Sequence, residues 1–149
     1  MVTAPAADGD AEQLWGRIRG SHPRFCKAVL ADARIALRHR GEPSEPGSTI
    51  ENAVRIARLA WVSDAFLAQL LYRAKARLQV LRIPILPRIA HHLAIIIAQV
   101  SIGDPVVMRE GVYIMHGQVV VDGLVQIGAG VVIAPFVTAG CELGTSAAR

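Results

Sequence analysis

Ser101–Gly140 reads SIGDPVVMREGVYIMHGQVVVDGLVQIGAGVVIAPFVTAG, and it repeats itself every six residues. Aliphatic side chains fall at Ile102, Met108 and Ile114, then resume after one extra residue at Val121, Ile127, Ile133 and Ala139. A second series runs four places on, through Val106, Val112, Val125, Val131, Val137 and Leu143. Small or turn-forming residues fill much of the remainder, among them Gly103, Gly111, Gly117, Gly123, Gly128 and Gly130. A short fixed period is the signature of a solenoid, whose units bury their apolar side chains only by stacking on one another. Three hexads make one triangular coil of short extended segments and tight turns. Two coils are expected, 102–120 and 121–138, with the start of a third. The one inserted residue falls beside His116.

Upstream of the repeats the spacing is helical. Glu12–Arg19 predicts a short helix that stops at Gly20-Ser21-His22-Pro23. Arg24–His39 carries Phe25, Val29, Ala33 and Ala36 at helical intervals, with Gly41 as a stop. After a linker containing Pro43 and Pro46, Ser48 or Thr49 can cap a helix through Ala53, Ile56 and Ala60. Ser63 opens the next, with Phe66, Leu67, Leu70, Leu71, Ala74 and Leu78 on its apolar face and Arg73, Lys75 and Arg77 mostly off it. Pro84 and Pro87 interrupt the chain before a last apolar helix, Arg88–Ala98. Trp15 and Trp61 read as anchors of helix packing. The expected fold class is α+β. Its parts are a disordered leader (1–10), an α-helical region (11–100), an incomplete β-solenoid (101–141) and an irregular tail (142–149).

Composition narrows the function. The chain has 149 residues, 52% hydrophobic but only 5% aromatic, so its core is aliphatic and its surface has few rings on which bases could stack. The formal charge of +4 comes from the helical part, since only Arg109 and Arg149 follow residue 90. This pattern describes solvated helix faces and gives no nucleic-acid surface. Cys26 and Cys141 are too few and too far apart for a disulfide framework or a zinc site, and no metal is expected. Residues 1–10 lack a basic start and an apolar run, and Leu93–Val100 is too short to span a bilayer. A soluble, cytoplasmic protein with no membrane partner is expected.

Among residues able to do chemistry, His116 stands out, in Ile114-Met115-His116-Gly117-Gln118 at the irregular corner. An imidazole projecting from a corner can take a proton from a hydroxyl and return it. An exposed turn histidine, or one satisfied by a backbone carbonyl, fits the spacing equally well. His91 and His92 are adjacent on a helix, so they point apart and cannot share a metal in the usual helical manner. Glu110-Gly111 and Asp122-Gly123 are turn signals first.

A helical preface followed by Ser101-Ile102-Gly103-Asp104-Pro105, Gly111-Val112-Tyr113-Ile114 and His116-Gly117 resembles the serine O-acetyltransferase branch of the hexapeptide-repeat acyltransferases. The resemblance covers about Ser63–Thr138 and is most specific over Ala98–Val137. It implies a left-handed parallel β-helix and a homotrimer or dimer of trimers. It also implies transfer of acetyl from acetyl-CoA to the hydroxyl of L-serine, a reaction of cysteine biosynthesis. His116 matches the family's general base. Ser101 stands where the family usually has an aspartate that orients the histidine or grips the substrate amine, and Met115 stands where an aspartate commonly precedes the histidine. Asp104 is the best remaining candidate for the supporting carboxylate, with Asp122 the other. Ser101 and Asp122 are the candidate substrate contacts, and no CoA-binding residue is assigned. Beyond Thr138 the family continues with coils that supply a second histidine and most of the acetyl-CoA groove, whereas here the hexads dissolve, as in a truncated relative. Two alternatives follow: a catalytically impaired oligomerisation or docking module, and an acetyltransferase acting on another small hydroxyl or amine, such as a sugar.

Overall fold

A computed structural model describes residues 8–140. Five helices come first: α1 (Asp8–Ser21), α2 (Phe25–His39), α3 (Thr49–Val62), α4 (Asp64–Val80) and α5 (Leu86–Ala98). Seven short strands follow: β1 (Val100–Ile102), β2 (Val107–Met108), β3 (Tyr113–Ile114), β4 (Val119–Asp122), β5 (Gln126–Ile127), β6 (Val132–Ile133) and β7 (Thr138–Gly140). The class is therefore α+β. Helix α1 opens at Asp8, inside the leader expected to be disordered. The rest of that leader and the tail 142–149 lie outside the described residues.

Local chemistry explains most helix ends. Ser48 and Glu51 form a reciprocal capping box on α3: the Glu51 amide donates to Ser48 Oγ at 3.3 Å, and the Ser48 amide donates to Glu51 Oε2 at 2.7 Å. Ser63 ends α3 and caps α4, accepting from the Phe66 amide at 3.3 Å. Pro87 does not break α5 as expected but sits in its first turn, where a missing N–H leaves no helical bond unmade. Neither tryptophan is a buried anchor. Trp61 is 87% exposed and Trp15 39% exposed.

All strand pairing is parallel, in three small sheets ordered β1-β4-β7, β2-β5 and β3-β6. The chain visits the three sheets in turn and then begins again. Val100 pairs with Val119, Val107 with Gln126 and Tyr113 with Val132, each partner 19 residues on. Val120 pairs with Thr138, only 18 residues on. The first round is thus one residue longer than the second, and the surplus lies between Ile114 and Val120. Gln99, Gln118 and Phe136, the residues that lead into β1, β4 and β7, all have left-handed backbone (φ 54°, 62° and 61°). The corner before that sheet is therefore turned in the same way three times. Val100, Ile102, Val106, Met108, Val112, Ile114, Val119 and Val121 are almost fully buried between the sheets. Val131 departs from the expected inward series at 39% exposed, because among the described residues no strand covers β5 or β6.

Helix α4 lies against the first round, and its buried face combines Ala65, the expected Phe66, Ala68 and Ala76 with polar residues where only apolar ones were expected. Gln69, Tyr72, Arg73 and Lys75 are all at most 4% exposed, whereas Leu67, Leu70, Leu71, Ala74 and Leu78 are half-buried. The first round bonds to the second through one set of backbone groups, and its remaining carbonyls point the other way, where no strand among the described residues receives them. The α4 side chains donate to them. Gln69 Nε2 reaches the Val112 carbonyl at 2.8 Å, and Arg73 Nη1 and Nη2 reach Met108 and Arg109, both at 2.6 Å. Lys75 Nζ reaches Ile102 at 2.5 Å. Tyr72 Oη donates to the Val106 carbonyl at 2.8 Å and accepts from the Met108 amide at 3.2 Å, standing in for a residue of a neighbouring strand. Burial pushes the Tyr72 phenol up to about 12, so the hydroxyl keeps its proton and remains a donor.

Arg73 is held by Asp32 of α2, with Nε to Oδ2 at 2.9 Å and Nη2 to Oδ1 at 3.2 Å. Asp32 Oδ1 also accepts from the Gly111 and Val112 amides, at 2.8 and 3.1 Å. Burial raises the Asp32 carboxyl, while Arg73 and the two amides pull the other way. An apolar cluster joins Ala65, Ala68, Tyr72, Ala94 and Ala98 of the helices to the interior strand residues, so helices and strands share a core. Replacing Tyr72 by Phe should lower unfolding free energy by about 1–3 kcal/mol, because it strands a buried carbonyl and a buried amide. Urea denaturation measures this, and a loss within about 0.5 kcal/mol, the range of a bland surface change, would contradict the role assigned to the hydroxyl.

Candidate functional site

The long corner, Met115-His116-Gly117-Gln118, packs against the end of α5. The Gln118 amide donates to the Ala98 carbonyl at 3.1 Å, and a Cβ on Gly117 would collide with that same carbonyl. Glycine is what lets the extra residue pass beneath the helix end. With Gly117 pinned there, His116 is exposed on the outside of the corner. It lines a cavity of about 490 Å³ whose other walls come from the α3–α4 junction, the end of α2 and the end of α5. Arg40, Ser63 and Asp64 line it too, so a guanidinium, a hydroxyl and a carboxylate share the space with the imidazole. Tyr113, on the same wall, stacks on His39 with ring centroids 4.7 Å apart and planes 10° from parallel.

None of the other sequence-predicted site residues lines this cavity. Asp104 was expected to support His116, but within the chain it pairs with Lys75 at 3.0 Å and lines a separate cavity beside His91 and His92. Burial alone would raise the Asp104 carboxyl, but the hydrogen bond and charge of Lys75 outweigh it and hold it below its ordinary value. Lys75 is itself lowered by burial, against the pull of Asp104. Asp122 Oδ1 accepts from the Gly123 amide at 2.8 Å, the turn-forming role its neighbour suggests. Ser101 is half-buried on β1 between the inward-facing Val100 and Ile102, and so points away from the interior.

Sequence reasoning missed Arg40 and Asp64. Arg40 is the C-cap of α2, and Asp64 follows the N-cap Ser63, where an acid also favours the helix N-terminus. Each therefore has a sufficient local explanation, and only the docking of α2 and α4 against the strands brings them to one cavity. An imidazole opening on such a cavity can exchange a proton with a hydroxyl, while the Arg40 guanidinium in its wall is already paired with Glu42 Oε1 at 2.9 Å.

No group of three or more His, Cys, Asp or Glu gathers as a metal site among the described residues. No helix there is long and apolar enough to cross a membrane. Compared with protein-family models, curated proteins and solved structures, the chain matches none. Gly117→Ala should cost about 1–3 kcal/mol of stability, since the colliding atom is backbone that cannot swing aside. Wild-type stability in denaturant would show instead that the corner is free to lift away from α5.

Proposed function

We propose that the chain is an acetyl-CoA-dependent O-acetyltransferase of the serine type, built on a left-handed parallel β-helix whose three faces are the three parallel ladders. The observation that carries the reading is the change of register from 19 to 18 residues, which places the single surplus residue at the corner bearing an exposed His116. A regular coil has no need of such a corner, and here it opens onto a cavity that Arg40 and Asp64 also line. In the reaction His116 takes the proton from the serine hydroxyl, and the oxygen attacks the thioester carbonyl. The tetrahedral intermediate then expels the CoA thiolate, and the proton passes to the thiol. In this reading Asp64 receives the substrate ammonium, and Arg40 exchanges its pairing with Glu42 for the substrate carboxylate. With acetyl-CoA and L-serine, release of free thiol should fall about 100-fold or more in His116→Ala. Undiminished turnover in that variant would sink the assignment. Turnover with a sugar hydroxyl but not with serine would move it to another acceptor, and failure of millimolar CoA to raise the melting temperature would favour a docking module.

The same reading includes a homotrimer, and exposed apolar surface supports self-association. Ile50, Val54 and Trp61 recur at helical intervals on α3 and are 77%, 62% and 87% exposed, and Ile96 of α5 is 76% exposed. Sedimentation should give a mass well above the 16.0 kDa of one chain. Val54→Glu should move it toward the monomer, and a monomeric wild-type protein would refute the assembly.

A further inference from the structure

A second cavity, of about 880 Å³, lies between α1, the segment joining α4 to α5, α5 itself and the β1–β2 corner. Its volume falls within the range of small-molecule sites. Arg19, Arg82 and Arg88 line it, and among the described residues none of the three makes an ion pair. The one carboxylate in the lining, Asp104, is already engaged by Lys75. The cavity therefore carries three guanidiniums with no carboxylate left to balance them.

Arg82 adds an independent observation. Its backbone is left-handed (φ 57°) in the turn that ends α4, a conformation glycine adopts with no Cβ clash. From that turn the Arg82 side chain joins the lining of the cavity. Trp15 presents a partly exposed indole on the same wall, beside the apolar Ile83 and Pro84. Guanidiniums bind phosphate oxygens in pairs of parallel hydrogen bonds, and an indole offers a face to a planar base.

We infer that this cavity binds a nucleoside diphosphate, with Arg19, Arg82 and Arg88 on the phosphates and Trp15 against the base. The site is separate from the His116 cavity and does not depend on the acetyl-transfer reading. ADP is the probe. Trp15 and Trp61 are the only tryptophans, and Trp61 lies outside this cavity, so Trp61→Phe leaves Trp15 as the sole indole reporter. Titration of that protein with ADP should quench Trp15 fluorescence saturably. The pair Arg82→Gln and Arg88→Gln, with an unchanged circular dichroism spectrum, should weaken binding about tenfold or more. Inorganic pyrophosphate should bind more weakly and leave the fluorescence unchanged. His116→Ala should keep the wild-type ADP affinity, which separates this test from that of the acetyltransferase. The inference is overturned by an absence of saturable binding up to millimolar ADP, by unchanged affinity in the double arginine variant, or by pyrophosphate binding as tightly as ADP.

Discussion

The first round of strands has one edge with no strand beside it, and the outward carbonyls of that edge must be satisfied. Helices α4 and α2 are arranged around this constraint. Left unpaired, a buried carbonyl costs on the order of 1–3 kcal/mol, and outward carbonyls lie in a row over Ile102, Val106, Met108 and Val112, with that of Arg109 partly buried beside them. Helix α4 meets them with side-chain donors in place of a further strand. A helix cannot offer backbone groups sideways, so the ladder is completed by four long or hydroxylated side chains from one helical face. The arginine among them brings a buried charge, and Asp32 of α2 neutralises it while also receiving the two amides at the Gly111 corner. Removing one member of such a pair typically costs about 3–5 kcal/mol, because the other is left charged in the interior. The α2–α4 contact and the seating of the strands are thus a single network.

This network explains what could be read in the sequence and what could not. The six-residue period was legible because strand burial is set by neighbouring rounds, which the sequence repeats: Ile102, Met108, Ile114 and Val121 face inward as the pattern predicts. The surplus residue was legible as well, and in the structure it becomes a measurable change of register. The polar part of the buried face of α4 was not, although Phe66 was. Gln69, Arg73 and Lys75 look like solvent-facing residues until the helix is known to lie on a row of carbonyls, and no helical periodicity encodes that. Trp61 misled in the opposite direction, since a large aromatic on an amphipathic helix reads as core and here faces outward.

The candidate site shows the same division. His116 was found because it breaks a local rule. Arg40 and Asp64 obey local rules at helix ends and so drew no notice, although they line the cavity that His116 faces. Asp104 shares a turn with Ser101, the position the resemblance points to, and within the chain it pairs with Lys75. Short-range spacing reports the corner that carries a group. It does not report which other elements will be folded against that corner.

The donors on α4 are spaced for one round of this coil and no other, since Gln69, Tyr72, Arg73 and Lys75 reach specific carbonyls of the first round. The stack is therefore a ruler with a fixed zero. Its helical end sets where counting starts and keeps every strand in phase with the helices. Beyond that end each round is held mainly by the one before it, so alignment is set once, at the helical end, and passed along the stack.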